Sequence, residues 1–330
     1  MTNYRALRIH NDDQGYRTRI DTLPVPEPDA GQVLIQLSHS SINYKDALAG
    51  TGRGKILKRF PLTGGVDAAG IVVASRDTRY REGDTVIASG WGMSFDHDGG
   101  YAEYLCAPAE WLVPMPLGLD ARQAMILGTA GFTAALAVDR LKVNGQHPGL
   151  GPIVVTGASG GVGSIAIDLL SQQGFEVVAV SGKPACADWL RRLGATRILG
   201  RDELPGGDRP LEKAVWGGAV DNVGGAVLAR LTRTVGAHGN IACIGLAGGA
   251  QLDTTVMPLI LRGVSLLGIN SVDVPYPLRA EIWQRLATEW RPKHLEDILT
   301  ATLDLDALPE AFERLLAGQT WGRLLVEIRR

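Results

Sequence analysis

The chain has 330 residues, 45% of them hydrophobic and 21% charged, with a formal net charge of −2. This length exceeds one ordinary core and predicts about two domains, and the composition is typical of a globular protein. With so little net charge, the protein as a whole has no basic field to attract nucleic acid or an anionic membrane, so neither is expected as a partner. Any anion-binding site must therefore be local.

The sequence gives no sign of export or membrane insertion. Charges are scattered through residues 1–12, and an apolar stretch such as 256–269 is interrupted by Pro258 and Arg262. We therefore expect neither a secretory signal nor a span of about 20 apolar residues. The three cysteines are far apart and odd in number, which fits neither a disulfide framework nor a metal knuckle. A reducing, cytoplasmic location is the simplest expectation.

Residues 1 to about 120 are predicted to be β-rich. Short apolar runs at Val33–Leu37, Ile71–Ala74 and Thr85–Ala88 are separated by turn-forming residues. The prolines within residues 24–28 favour extended or turning backbone. Short strands between turns are typical of a compact barrel or sandwich.

From about residue 121, strands and helices alternate. Ile153–Thr156 is a short apolar strand, a glycine-rich turn follows, and Ile165–Leu170 has helical spacing. Alternation with short connections predicts parallel strands with helices on both faces. A last helix (308–316) and strand (324–328) are expected to return to the first domain. The other predicted segments are strands at 175–180, 197–199, 219–222, 241–244 and 265–269, and helices at 187–193, 225–235, 256–261 and 278–290.

The strongest local signal is the glycine-rich run Thr156–Gly163, with the sequence TGASGGVG. It follows a predicted strand and opens a predicted helix, where a dinucleotide fingerprint stands. Glycines let a pyrophosphate approach the backbone, and the helix N-terminus supplies free N–H groups. The alternative is a tight strand-to-helix connection without a ligand. The residues expected to contact the dinucleotide are Ser159, Gly160, Gly161 and Val162.

The end of the next strand predicts which nicotinamide cofactor is used. An NAD site places an acidic residue there, whereas this chain has Ser181, Gly182 and Lys183. A hydroxyl and an ammonium group suit a 2′-phosphate, which a carboxylate would repel, so NADPH is expected. Arg201 is a second candidate for the same phosphate. The alternatives are that Lys183 is a solvated loop residue and Arg201 an ordinary surface arginine.

Over nearly its whole length the chain resembles the medium-chain dehydrogenase/reductase superfamily. Within it, the chain is similar to the zinc-free quinone-oxidoreductase branch and to the acrylyl-CoA reductase group. Each motif is short, but their order and spacing together are specific. The motifs are NYKDAL (43–48), GVDAAG (65–70), WLV (111–113), GTAGFTA (128–134), TGASGGVG (156–163), GLAGG (245–249), TTVMP (254–258) and GR (322–323).

The resemblance implies an α/β protein with a Rossmann-type doubly wound parallel sheet and a GroES-like β-barrel catalytic domain. The expected boundaries are 1–121 and 298–330 for the catalytic domain and 122–297 for the NADPH-binding domain. A cofactor cleft between the domains and a homodimer that pairs strand 265–269 are also implied. Zinc-dependent relatives carry a cysteine ligand within 43–46 and Gly-His-Glu at 65–67. This chain lacks both, so no metal is predicted.

The resemblance also implies reduction of an activated C=C bond by hydride from NADPH, in this group the bond of a short enoyl-CoA. Asn43 and Tyr44 are the predicted catalytic residues, with Tyr44 also contacting the cofactor. The alternative for Asn43 is a turn-capping role, and Asp67 is expected to be structural. The further cofactor contacts implied by the resemblance are Leu246, Ser271 and Arg323.

A basic run, residues 50–59, follows the catalytic segment directly. It holds Arg53, Lys55, Lys58 and Arg59, which are candidates for the CoA phosphates. The alternative is a solvated basic loop.

Three functions remain open from the sequence. The first is an enoyl-CoA reductase, and the second is a quinone or enone reductase that uses the same site. The third is a non-catalytic NADPH-binding sensor, since a fold and a cofactor site do not by themselves establish turnover.

Overall fold

The computed structural model describes residues 2–328, and the chain divides into two compact units. The first unit holds residues up to 129, then 272–289, then those from 295 onward; the second holds 130–271 and 290–294. Compared with the division expected from the sequence, segments 122–129, 272–289 and 295–297 group with the first unit. The two longer segments are fastened there by buried polar side chains: Thr129 donates to Asp67, and Arg279 donates to the Ser89 carbonyl.

The first unit is built mainly from antiparallel strands. Alternate residues of its third strand, Val33, Ile35 and Leu37, lie in one buried cluster, as expected for a strand with one face on the core. Its elements up to residue 143 are β1 (Asn3–Asp12), β2 (Gly15–Pro24), β3 (Gln32–Ser41), α1 (Tyr44–Thr51), β4 (Leu62–Thr63), β5 (Asp67–Ser75), β6 (Thr85–Ser89), β7 (Tyr104–Pro108), β8 (Leu112–Pro114) and α2 (Ala121–Val143), the last of which continues into the second unit.

The second unit confirms the predicted doubly wound sheet. Its six strands are all parallel, in the order β11-β10-β9-β12-β13-β14. Central strands of such a sheet are covered on both faces, and every residue of β9 and β10 is buried. The elements are β9 (Ile153–Thr156), α3 (Gly161–Gln172), β10 (Val177–Val180), α4 (Ala187–Arg192), β11 (Ala195–Leu199), β12 (Trp216–Asp221), α5 (Gly225–Thr234), β13 (Val235–Cys243), α6 (Met257–Arg262) and β14 (Ser265–Gly268).

The end of the chain returns to the first unit, as the sequence predicts. The last strand pairs antiparallel with β3, within a seven-stranded sheet. The last helix packs against α1: Phe312 shares a buried cluster with Ala47. This packing fixes the helix that carries Tyr44. The remaining elements are α7 (Tyr276–Ala287), α8 (Leu295–Ile298), β15 (Leu299–Leu303), α9 (Leu308–Leu316) and β16 (Arg323–Glu327).

One sequence expectation about membranes needs correction. Within residues 2–328, α2 is long and apolar enough to span a membrane by length and composition alone. Most of its apolar window is buried inside the protein, and a core helix passes the same test. Sequence reasoning did not single it out because its uncharged run, residues 123–138, is shorter than about 20 residues and is followed by Asp139 and Arg140.

Candidate active site

A buried carboxylate, Asp67 at the start of β5, organises the site in the first unit. Its side chain is fully buried. It accepts hydrogen bonds from Ser41 Oγ at 2.6 Å and from Asn43 Nδ2 at 2.7 Å. It also accepts from the hydroxyl of Thr129 at 2.6 Å and from the backbone N–H of the same residue at 2.9 Å. Such a set stabilises a buried charge that would otherwise be costly, which fits the structural role expected for Asp67.

The backbone at Gly128 makes this arrangement possible. Gly128 interrupts α2 with a φ of 49°, in the left-handed region that glycine tolerates. A Cβ atom there would lie 2.6 Å from Ser41 Oγ and 2.7 Å from Asp67 Oδ2. The glycine therefore serves both the break in the helix and the close approach of the carboxylate to Thr129.

Asn43 is the N-cap of α1, and its amide group is fully engaged within the first unit. Nδ2 donates to Asp67 Oδ2 at 2.7 Å and to Asp46 Oδ2 at 3.2 Å. Oδ1 accepts from Arg323 Nη1 at 3.2 Å. Both amide hydrogens are thus used, so the geometry favours the capping alternative over direct donation to a substrate. Asn43 acts here as a positioning residue for the start of α1.

Asp46 is the second buried carboxylate of this cluster. It accepts from the backbone N–H groups of Asn43 and Val66 at 2.9 and 3.0 Å. Burial, and then the nearby charge of Asp67, raise the pKa of Asp46 to about 7, and these hydrogen bonds oppose the rise. Two buried carboxyl groups thus share the amide group of one asparagine.

Arg323 supplies the positive charge of the cluster. Its buried guanidinium group donates from Nε to the Ile126 carbonyl at 2.8 Å and from Nη2 to Ser41 Oγ at 2.7 Å. Nη1 donates to the Ile42 carbonyl at 3.0 Å. Burial lowers the pKa of Arg323, while Asp67 and Asp46 act to raise it. All three nitrogens are engaged inside the first unit, so this geometry does not support the cofactor contact predicted for Arg323, and that contact stays a prediction.

Tyr44 differs from its neighbours because it is exposed. It is the first residue of α1, and its side chain is 46% accessible. Within residues 2–328 its hydroxyl group has no hydrogen-bond partner. Since Asn43 and the packing of α9 fix the helix, the backbone of Tyr44 is held in place while its side chain is accessible to a ligand. Of the two predicted catalytic residues, Tyr44 is the one with a free polar group.

In the second unit, Asp221 holds together the strand ends beneath the glycine-rich turn. It accepts from Thr156 Oγ1 at 2.6 Å and from the Gly224 backbone N–H at 2.8 Å. Asn222 closes the link by donating from Nδ2 to the Thr156 carbonyl at 2.8 Å. The turn itself leads into α3, whose N-cap Gly160 has no side-chain cap. The N-terminal N–H groups of α3 therefore suit an anion.

The residues predicted for the 2′-phosphate lie together. Ser181 Oγ donates to Ser159 Oγ at 3.1 Å and accepts from the Lys183 backbone N–H at 3.1 Å. Arg201 lies directly over Gly182, where a Cβ atom would be 2.5 Å from Nε. Burial lowers the pKa of Lys183, and the charge of Arg201 acts in the same direction. We call Ser181, Lys183 and Arg201 the phosphate cradle. Two cations close to each other and beside a hydroxyl group suit a phosphate dianion.

The two other predicted cofactor contacts lie after strands of the same sheet. Leu246 is in the loop after β13 and is largely exposed. The far end of that loop is tied to the start of α5 by a bridge between Gly249 and Gly224. Ser271 is half-buried, shortly after β14. Their predicted contacts with the cofactor remain predictions.

The four basic residues predicted for CoA do not form one group. Arg53 donates to Glu313 of α9 at 2.6 Å, and Arg59 Nε donates to the Asp96 carbonyl at 2.7 Å. Lys58 instead lies over the ring of Phe95, and Lys55 is exposed. The guanidinium groups of Arg53 and Arg59 therefore already form hydrogen bonds within the protein.

The sequence analysis missed a further buried cation, Arg279. It donates to the Ser89 carbonyl at 2.9 Å and to the Val272 carbonyl at 2.8 Å, and lies 5.0 Å from the ring centroid of Trp91. Burial lowers its pKa to about 10. Trp91 has a φ of 52°, unusual for a bulky residue. Local sequence carries no signal for this contact, because the partners are far apart in the chain.

Among residues 2–328, no group of three or more His, Cys, Asp or Glu side chains could hold a metal ion. His97, which stands between two aspartates, has its Nδ1 2.8 Å from the Asp98 carbonyl and packs edge-on against Trp111.

Comparison with known families covers both units. The alcohol dehydrogenase GroES-like domain model matches residues 29–117, which confirms the predicted GroES-like fold. The zinc-binding dehydrogenase model matches residues 161–288.

Relatives match the whole chain. An acrylyl-CoA reductase of Ruegeria pomeroyi is 44% identical, over 98% of this chain and 99% of its own. A putative quinone oxidoreductase of Bacillus subtilis is 42% identical, over 99% of both chains. Among solved structures, an oxidoreductase from Salmonella enterica in complex with NADP is 45% identical, with a TM-score of 0.94, over 98% of this chain and 100% of its own.

Proposed function

Because the chain belongs to the acrylyl-CoA reductase group of the medium-chain dehydrogenase/reductase superfamily, we propose that it reduces the activated C=C bond of a short enoyl-CoA with NADPH. Acryloyl-CoA is the proposed substrate and propanoyl-CoA the product. The observation that carries the cofactor choice is the cradle of Ser181, Lys183 and Arg201, which suits a 2′-phosphate and holds no carboxylate.

The reaction needs a hydride, an oxygen stabiliser and a proton. Bound NADPH supplies the hydride for the β-carbon of the thioester. The electron pair of the double bond then moves towards the carbonyl oxygen, and the α-carbon takes a proton, so that acryloyl-CoA, NADPH and H⁺ give propanoyl-CoA and NADP⁺. Oriented hydrogen-bond donors stabilise the developing charge on oxygen.

Tyr44 is the proposed donor at the reacting end. Its hydroxyl has no partner within residues 2–328, and its backbone is held by the capped start of α1. Asn43, Asp67 and Arg323 serve it indirectly by fixing that helix. Such positioning can account for several kcal/mol of the barrier.

A quinone or enone reductase is the second candidate, because a relative with 42% identity is named as a putative quinone oxidoreductase. The two functions differ in whether the CoA tail contributes to binding. The third possibility is an NADPH-binding sensor without turnover. Measured consumption of NADPH with any acceptor would eliminate it.

The experiment compares NADPH oxidation with acryloyl-CoA, a simple quinone and a free enone, and repeats the series with NADH. A kcat/KM for acryloyl-CoA at least tenfold above the other acceptors supports the proposal. Equal or faster turnover of the quinone overturns it in favour of the second candidate.

A homodimer in the cytoplasm is also proposed. Strand β14 is the edge of its sheet, and the neighbouring helix α6 exposes Ile260 and Leu261, with Val256 just before it. An apolar edge of this kind invites pairing with a second copy. Sedimentation equilibrium tests this: a purely monomeric protein at micromolar concentration contradicts it.

A further inference from the structure

Three separate segments of the first unit bring two lysines onto one aromatic ring. Lys45 is the second residue of α1, Lys58 lies in the basic run, and Phe95 lies in the loop after β6. Nζ of Lys45 is 5.5 Å from the ring centroid of Phe95, and Nζ of Lys58 is 4.3 Å from it. We call these three residues the Phe95 cluster.

The Phe95 cluster has an excess of positive charge. Lys58 has one carboxylate at the edge of ion-pair distance, Asp96 at 4.0 Å. In the part of the chain that the structure describes, Lys45 and nearby Lys55 form no salt bridge. A ring face offsets part of the repulsion between two ammonium groups, by about 0.5–1 kcal/mol at exposed sites. An anion that meets both ammonium groups would offset the rest.

The backbone around the Phe95 cluster is ordered by its own hydrogen bonds. The N–H of Lys58 donates to the Phe95 carbonyl at 2.8 Å, and the N–H of Phe95 donates to the Gly92 carbonyl at 3.1 Å. Arg59 Nε adds a bond to the Asp96 carbonyl at 2.7 Å. Because the two loops are tied together, little backbone conformational entropy remains to be lost when a ligand binds.

We propose that Lys45, Lys58 and Phe95 form the subsite that binds a phosphate group of the nucleotide tail of the acyl-CoA. Both ammonium groups lie within 5.5 Å of one ring centroid, so two positive charges converge on a single side chain. The inference rests on the proposed function, since it names what holds that substrate.

The inference also ranks the cations of the basic run. Arg53 is already paired with Glu313, and Arg59 is already bonded to a carbonyl group. Lys45, which lies outside the run, and Lys58 are therefore expected to contribute more to phosphate binding than Arg53.

The test measures the Kd of CoA itself by titration calorimetry with NADP⁺ present. The double variant Lys45→Ala/Lys58→Ala is expected to raise the Kd about 10-fold, and Lys45→Arg/Lys58→Arg to restore most of it. Phe95→Leu keeps an apolar side chain without a ring and is expected to raise the Kd about threefold. Salt should weaken wild-type binding more than binding by the double variant.

The matched control is Arg79→Gln/Arg81→Gln, which also removes two positive charges from the first unit but lies away from the Phe95 cluster. Its Kd for CoA should stay within about twofold of wild type, since exposed charges at a distance are screened. If the Kd for CoA rose equally in the control and in the Lys45/Lys58 variant, binding would depend on the overall positive charge of the first unit. That result would overturn the proposed subsite.

The kinetic arm separates failure of the inference from failure of the proposed function. In wild type, kcat/KM for acryloyl-CoA should exceed that for acryloyl-pantetheine, and the ratio should fall towards one in the double variant. If wild type prefers the CoA thioester and the variant keeps the full ratio, the subsite is wrong while the proposed function stands. If wild type neither binds CoA nor prefers its thioester, both are wrong.

Discussion

The side-chain amide of Asn43 donates to the buried carboxylate of Asp67 across 2.7 Å, while its oxygen accepts from Arg323. One side chain thus joins the start of α1, the start of β5 and the last strand of the chain. The residue that precedes Tyr44 is therefore held by groups from three parts of the sequence. Five predictions concern this network and the phosphate cradle.

Removing the carboxylate of Asp67 is expected to destabilise the protein strongly. In Asp67→Ala, the donors of Ser41, Asn43 and Thr129 lose their acceptor in a buried site, at a cost of about 3 kcal/mol in the free energy of unfolding. Urea denaturation measures this. Asp13→Ala, at an exposed position, is the control and should change the free energy of unfolding by less than about 0.5 kcal/mol. A small effect at Asp67 would mean that the carboxylate does not hold the site together.

Tyr44→Phe tests the exposed hydroxyl group at the proposed reacting end. Loss of the hydroxyl should lower kcat for acryloyl-CoA at least tenfold, because it removes a hydrogen bond that forms only in the transition state. The KM for NADPH should change little, since the ring is kept. Tyr44→Ala should raise that KM as well. An unchanged kcat in Tyr44→Phe would assign the donor role to another group.

Asp46 predicts a pH dependence of stability. Its pKa is raised from 3.8 to about 7 on folding, so between these values the folded state binds more protons than the unfolded state. Its contribution is therefore fully present below about pH 4 and is lost as the pH rises towards 7, with a slope of up to about 1.4 kcal/mol per pH unit.

Other groups titrate too, so the measurement is the difference between wild type and Asp46→Asn. An amide cannot ionise, so the stability of wild type relative to this variant should fall from pH 4.5 to pH 7. A difference that is flat or rises with pH would contradict the raised pKa.

The phosphate cradle predicts how the cofactor preference can be changed. Lys183→Ala/Arg201→Ala should raise the KM for NADPH about 30-fold and leave the KM for NADH within about twofold, because only NADPH carries the 2′-phosphate. Arg209→Ala, an exposed arginine paired with Glu212, is the control. Similar losses with both cofactors would show that the cradle acts on the shared part of the dinucleotide.

Close packing at Gly182 gives a second test of the same cradle. A methyl group there would lie 2.5 Å from Arg201 Nε, so Gly182→Ala must displace the guanidinium group. The KM for NADPH is expected to rise about tenfold, close to the effect of Arg201→Ala alone, and the two changes should not add. Full additivity would mean that Arg201 does not bind the 2′-phosphate from its position over Gly182.

The sequence by itself determined the elements and the cofactor motif. The apolar runs of β9 and β10 and the turn between β9 and α3 carry local signals, because strand burial and a glycine-rich phosphate loop depend on neighbouring residues. The expected helix at 308–316 agrees with the structure for the same reason. The return of the last strand to the first unit, which the family resemblance implies, also agrees. Ser181 and Lys183 could also be predicted from the sequence, since they follow the end of a predicted strand.

Only the tertiary structure decided how the polar side chains share their hydrogen bonds. Asn43, Asp67 and Arg323 are far apart in sequence, and no periodicity reveals that one amide joins all three. The same holds for Arg279 beneath Trp91 and for Lys45 beside Phe95. Long-range pairing depends on which loops the fold brings together, and buried polar groups take whichever partner that packing provides. The sequence could name the residues of the site, but their division into positioning and exposed groups required the fold.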